Sequence, residues 1–246
     1  MTNAPSTHAL SRAVLRVGGG RGFVVRCMNH LKLENQIVIT AAHCLQEALL
    51  ANRQRGLPIC HPGRYVEEET YSKLLGPLRA RHTVWAACLF VDPIADIAVL
   101  GRPDNQTLPD EAEAYDELMK GMATLTVGDA PALGAETLSF GKHCIEHPVP
   151  GEGPAWALSL KGRWRKGHVK RYSSGSMEFE PEKFFVPGMS GSPIIDQTGA
   201  AIGVVSTSQC SPVIVDSLST RLVRQIAACA HSEHVETEFA DTARTH

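Results

Sequence analysis

The chain has 246 residues, 43% of them hydrophobic and 20% charged, which is enough for two modest domains or one large one around a substantial buried core. Its 24 basic and 26 acidic residues leave a formal net charge of -2. That balance excludes a global field for nucleic acid or an anionic membrane, so an electrostatic partner must find a local patch.

The first twenty residues, MTNAPSTHALSRAVLRVGGG, lack the basic start and unbroken apolar stretch of a cleaved export signal. No later run approaches the ~20 apolar residues that span a bilayer. Seven cysteines, at positions 27, 44, 60, 88, 144, 210 and 229, follow no regular spacing, and their odd number leaves at least one without a partner in the chain. Reduced thiols and a cytoplasmic location are the simpler expectation.

Short β-type runs dominate in chain order: RGFVV, QIVITA, TVWAACLFV, ADIAVLG, ETLSFG, WALSL, MEFE, SPIID and AIGVVST. Each is closed by Gly, Pro, Asn or Asp nearby, the pattern of antiparallel barrels or sandwiches. Helical periodicity is confined to Leu45–Asn52, to Asp110–Lys120 and to STRLVRQIAACA near the C-terminus. The expected organisation is an N-terminal β-barrel over 1–110, a helical linker over 111–124, a C-terminal barrel plus helix over 125–232 and a mobile acidic tail over 233–246. No repeat of fixed period is visible.

The most informative stretch is VPGMSGSPIID, with Ser190 at its centre. Gly and Ser also crowd ordinary turns, so the stretch means little alone. A serine that attacks carbonyls at neutral pH needs a base within reach, a group that orients the base, and N–H donors for the oxyanion. QIVITAAHCL places His43 just beyond an apolar strand, and DPIADIAVLG places Asp96 at the head of another. Asp92 is the rival carboxylate; Asp96 is preferred because it directly precedes the strand, whereas VDP reads as turn chemistry.

The segments TAAHC, DIAVL and GMSGSP, in that order, resemble the three signature segments of the chymotrypsin-like (trypsin-fold) serine peptidases. The resemblance runs from about Val14 to Ala230. FVPGMSGSPIIDQTGAAIGVVS is most similar to the bacterial DegP/HtrA-type branch, with no PDZ domain following. It implies an all-β fold of two antiparallel six-stranded barrels with a C-terminal helix. It also implies Ser190 as nucleophile, His43 as general base and then acid, Asp96 as its orienting partner, and the N–H groups of Gly188 and Ser190 as oxyanion hole. Ser206 corresponds to the serine that hydrogen-bonds the catalytic Asp and opens the strand along which substrate pairs.

Three departures from the family's pattern carry expectations. Met189 stands where zymogen-activated members hold an Asp for a freed N-terminal ammonium, so no N-terminal trimming is expected. Pairing Gly22 with about Ala41 puts Cys44 near Gly19 or Gly20, too far from Cys27 for the ~5.5 Å Cα separation of a disulfide. Phe184 replaces the pocket-base acid of trypsins and Ser208 the pocket-wall glycine; with Ser206 and Thr207 they imply cleavage after small or medium apolar residues.

Two other features invite sharper readings. KGRWRKGHVKR, Lys161–Arg171, holds six Lys/Arg around Trp164 and His168 and is compatible with nucleic acid, but a solvated hairpin on the second barrel is the expectation. His143, Cys144 and His147, with Cys60 and His61, lack a clean second metal pair and read as ordinary residues. The sequence thus points to a serine endopeptidase acting on polypeptides, with no metal or organic cofactor and no nucleic-acid or membrane partner. Oligomeric state is not legible. The alternative is a protease-fold effector or binding protein whose cleft is inactive until a regulatory protein partner engages it.

Overall fold

The computed structural model describes residues 7–28, 34–45, 70–92, 95–129, 131, 134–140, 143–149, 151–171, 176–181, 188–207 and 213–217. A short helix α1 (Thr7–Ser11) precedes strands β1 (Val14–Val17), β2 (Gly20–Met28) and β3 (Glu34–Ala41), and then a 3-10 turn, Ala42–Leu45. Strands β4 (Thr70–Pro77), β5 (Val84–Asp92) and β6 (Ile97–Gly101) complete a closed barrel in the order β1-β2-β3-β6-β5-β4. After helix α2 (Pro109–Lys120) comes a separate hairpin of β7 (Gly134–Phe140) and β8 (His143–Val149). A second closed barrel then joins β9 (Gly151–Leu158), β10 (Trp164–Arg171), β11 (Ser176–Pro181), β12 (Pro193–Ile195), β13 (Ala201–Thr207) and β14 (Val213–Ser217) in the order β10-β11-β14-β13-β12-β9.

Read from its own first strand, the second barrel has the strand order of the first. The chain is therefore a structural duplication, although no sequence repeat betrays it. The core of the first barrel extends onto one face of the second barrel's strands. Along β9, Ala155 and Ala157 join the cluster inside the second barrel while Trp156 and Leu158 join the cluster of the first. The same alternation divides Ile194 from Ile195 and Val205 from Val204. Side chains of a strand point alternately to its two faces, so these strands bury both and read as continuous apolar runs.

Residues 123–128 stitch the barrels together. The Leu125 N–H donates to the Val24 carbonyl at 2.9 Å, and the Ala201 N–H donates to the Thr126 carbonyl at 2.8 Å. Helix α2 starts with Pro at its first turn, carries Asp110 and Glu111 at its positive end and Lys120 at its negative end, and buries Ala112, Tyr115 and Met119 along one stripe. The Tyr115 hydroxyl donates to the Gln36 carbonyl at 2.9 Å, tying the helix to the first barrel.

Several expectations need revision. Gly22 pairs with Thr40 rather than Ala41, one residue from the expected register. Cys44 nonetheless lies against Gly20, seven residues from Cys27, and is in no disulfide. Leu45 ends a 3-10 turn rather than opening a helix, and residues 46–52 lie outside the described residues. The basic run lies on a hairpin of the second barrel, as expected: residues 161–163 belong to the turn and 164–171 form β10, paired antiparallel with β9. The C-terminal helix, the acidic tail, Cys60 and His61, and the side chains of His143, Cys144 and His147 lie outside the described residues. Among the described residues, no helix is long and apolar enough to cross a membrane.

Candidate active site

Antiparallel pairing brings His43 and Asp96 together. Ala41 at the end of β3 pairs with Ile97 at the start of β6, so the residues just beyond the one and just before the other meet at the same sheet end. The Ala42 N–H donates to the Asp96 carbonyl at 3.0 Å, and the His43 N–H donates to Asp96 Oδ1 at 2.9 Å. The His43 ring closes the contact, its Nδ1 donating to Asp96 Oδ2 at 2.7 Å. Asp96 has φ +47°, a left-handed conformation that Asp tolerates better than most residues.

Ser206 reaches the same carboxylate from the second barrel, its Oγ donating to Asp96 Oδ2 at 2.5 Å. Burial pushes the Asp96 carboxyl up, but the hydrogen bonds from the His43 ring, Ser206 and the His43 main chain outweigh it. The carboxyl is held below its ordinary value, and it stays an anion at neutral pH. An anion on Nδ1 fixes that nitrogen as the donor and makes Nε2 the basic nitrogen of the ring. His43 itself is exposed, 44% at the side chain against 17% for Asp96, so the imidazole faces solvent while its partner is covered. Asp92 does something different: its Oδ1 accepts the Ala95 N–H at 3.0 Å and caps the turn before Asp96.

The Gly188–Ser190 loop is fixed from both barrels. The Ser190 carbonyl accepts the Arg21 N–H at 2.8 Å. A Cβ built on Gly20 would strike the Cys44 thiol and stand 2.7 Å from the Ser190 carbonyl. Only a glycine at position 20 therefore lets the residue after His43 and the main chain of Ser190 crowd the same spot. On the other side, the Gly191 N–H donates to the Val205 carbonyl at 2.7 Å and the Val205 N–H to the Ser192 carbonyl at 2.9 Å, one residue before Ser206. Gly188 has φ +91°, which a side chain would disfavour. Among the described residues, no backbone carbonyl accepts the N–H of Gly188 or of Ser190.

Met189 is buried, 2% exposed, between these two residues. Burial pushes the Cys44 thiol up to about 11, so it is protonated and inert beside the site. Phe184 and Ser208 lie outside the described residues, as does the side chain of Thr207 at the end of β13. Sequence reasoning missed Arg21 and Thr40, both buried beneath the Ser190 loop, where the Thr40 hydroxyl donates to the Arg21 carbonyl at 2.6 Å. The available signal was a charged residue between two glycines just before the apolar run Phe23, Val24 and Val25.

Two barrels of one topology, with a hydrogen-bonded His–Asp pair in the first and, from the second, a serine loop whose main chain bonds the first, define the double-barrel peptidase class. Residues 20–204 match the family of the trypsin-like peptidase domain, and the chain belongs to that family. It is a serine peptidase, a hydrolase whose substrates are polypeptides. No curated protein matches the sequence significantly. Similar solved structures include Rv3671c from M. tuberculosis H37Rv, in an inactive serine-to-alanine form, at 15% identity and TM-score 0.47 over 94% of this chain and 93% of that one. Deg5 is similar at 15% identity and TM-score 0.46, over 87% of this chain and 88% of its own.

Proposed function

We propose that the chain is an endopeptidase in which Ser190 is the nucleophile, His43 the general base and then acid, and Asp96 the group that holds the imidazole. The observation that carries this reading is the Asp96 carboxylate, which accepts the His43 ring at 2.7 Å and the Ser206 hydroxyl at 2.5 Å. Ser190 Oγ attacks the scissile carbonyl as its proton passes to His43 Nε2; the imidazolium returns it to the leaving amine. Water, deprotonated by the same nitrogen, then hydrolyses the acyl-enzyme. The N–H groups of Gly188 and Ser190 receive the oxyanion, each worth about 3 kcal/mol in such sites.

Substrate pairs as an added strand along β13 at Ser206 and Thr207. With Phe184 and Ser208 lining the pocket, no counter-charge awaits a basic side chain, and the reading takes small or medium apolar residues before the cut. A peptide-library profile dominated by Arg, Lys or Glu there would overturn this preference. In the same reading residues 1–110 supply the barrel of His43 and Asp96, 111–124 the linker and 125–232 the barrel of Ser190. Neither metal nor cofactor takes part, and the buried Cys44 thiol suits a reducing, cytoplasmic setting.

A fluorophosphonate probe tests the chemistry. The wild-type chain is expected to be labelled, with Ser190→Ala and His43→Ala at background. Wild type at background would favour the protease-fold effector or binding protein that awaits a regulatory partner.

A further inference from the structure

Arg21 has no part in the chemistry described so far, yet it is the only charged side chain among the buried described residues, at 5% exposure. It lies on β2 in the first barrel and reaches into the second. Its Nη1 donates to the Leu158 carbonyl at 3.0 Å and to the Ser159 carbonyl at 3.3 Å. No carboxylate pairs with it among the described residues. Burial alone lowers its pKa to about 10, so the guanidinium is still charged at neutral pH. A buried cation without an anion is costly, and an apolar side chain of similar length would fill the space more cheaply.

The guanidinium holds a turn near one end of the Gly188–Ser190 loop, and the Arg21 main chain holds the other end. Leu158 ends β9, and Ser159 opens a tight turn in which the Gly162 N–H donates to the Ser159 carbonyl and the Arg163 N–H to the Ser159 hydroxyl. The next residue, Leu160, is 44% exposed, and its Cδ2 stands 3.7 Å from where a Cβ on Gly188 would be. The Arg21 main chain meanwhile donates to the Ser190 carbonyl, and its own carbonyl accepts Thr40. One residue thus touches the main chain of Ser190 directly and holds the turn at 159–163, whose Leu160 side chain lies near Gly188.

We propose that Arg21 is a positioning residue for the oxyanion site: its guanidinium clamps the β9–β10 turn against the Gly188–Ser190 loop while its main chain holds Ser190. The aim of the two amides is set from the first barrel through this side chain. This rests on the reading of Ser190 as the nucleophile and of those amides as the oxyanion hole. Arginine suits the place because a carbonyl-lined slot accepts a weakly hydrated, permanently charged donor more readily than an ammonium.

The test compares Arg21→Met and Arg21→Lys in the full chain. The readouts are thermal unfolding, kcat and KM on an apolar peptide substrate, and the fluorophosphonate labelling rate. In folded Arg21→Met, kcat and the labelling rate fall together by about a hundredfold, within the range for a lost oxyanion donor, while KM changes less than threefold. Arg21→Lys loses three- to tenfold in kcat with the same constancy of KM. Wild-type kcat in either folded variant, or a rise confined to KM, overturns the proposal. Failure of both variants to fold marks Arg21 as a structural anchor and overturns it too. Wild type unlabelled, or Ser190→Ala as active as wild type, sinks the underlying reading instead, so the two failures are distinguishable.

Discussion

Asp96 accepts three donors from two barrels in a left-handed backbone conformation. Asn tolerates that conformation at least as well, so Asp96→Asn isolates the chemistry from the backbone. An amide has one accepting oxygen and one donating NH₂ and carries no charge, so it cannot replace both carboxylate oxygens; with the NH₂ toward His43 Nδ1 the ring is held in the wrong tautomer. We expect kcat to fall about 10⁴-fold with little change in fold. Stability is affected with a definite sign. The folded carboxyl sits below its unfolded value of 3.8, so between the two values the unfolded chain binds more protons and stability rises with pH. The contribution of Asp96 is complete above the unfolded value and is lost as pH falls through the folded one. The difference in Tm between wild type and Asp96→Asn should therefore shrink as pH drops below about 4; a constant difference would show the charge to be irrelevant.

Ser192 poses the opposite case. Its hydroxyl is fully buried and has no hydrogen-bond partner among the described residues. Removing an unsatisfied buried hydroxyl gains rather than loses stability. Ser192→Ala is expected to be stabilised by about 1 kcal/mol, a rise in Tm of about 2–4 °C. A fall in Tm would mean that the hydroxyl has a partner in the folded protein.

At the scale of elements, legibility followed burial. Strands β3, β6, β9, β12 and β13 bury both faces, so their apolar runs announce them in the sequence. His43 and Asp96 were legible for the same reason, as the polar residues at the ends of two such runs. Strand β10 was obscured by its charge: Gly167 and Val169 point inward while Lys166, His168 and Lys170 alternate with them. Its neighbours explain the charge. Lys170 pairs with Glu152 on β9 and Glu178 on β11, and His168 pairs with Glu180 and bonds Glu152 at 3.3 Å. Lys170 and His168 thus face acids contributed by other parts of the chain, which no local reading of KGRWRKGHVKR reveals, whereas Arg165 and Lys166 lie opposite Ala157 and Trp156. The acids beside Lys170 and His168 offset part of the charge a phosphate-binding stripe would need. Anisotropy of a labelled oligonucleotide at low salt should show no micromolar binding to wild type, whereas Glu152→Lys with Glu178→Lys should create salt-sensitive binding. Micromolar binding to wild type would restore the nucleic-acid reading.

For the whole molecule, the decisive surface is the seam between barrels. It holds Trp156, Leu158, Ile195 and Val204 packed against the first barrel, the stitch at 123–128, and the loop of Ser190 resting on Arg21. Position 189 faces the consequence. Where zymogen-activated relatives keep an acid that waits for an ammonium, a thioether is already buried at 2% exposure, and its insertion needs no charge from elsewhere. The N-terminal segment is also engaged, since the Val24 N–H donates to the Ala13 carbonyl at 2.8 Å and the Ala123 N–H to the Arg12 carbonyl at 3.3 Å. Activity should thus be indifferent to the state of the N-terminus. A chain carrying a removable N-terminal extension is expected to show the same kcat before and after its removal, and a tenfold rise on removal would refute self-sufficient assembly. Met189→Asp supplies the complementary check. A carboxylate buried there without a partner has its pKa raised, so the folded state binds the extra proton and the penalty grows as pH rises above the unfolded value near 4. The Tm deficit of Met189→Asp should be small in acid and large at neutral pH, the reverse of the trend for Asp96. An equal deficit at both would mean that the introduced acid had found a cation, and that position 189 could be served by an ion pair after all.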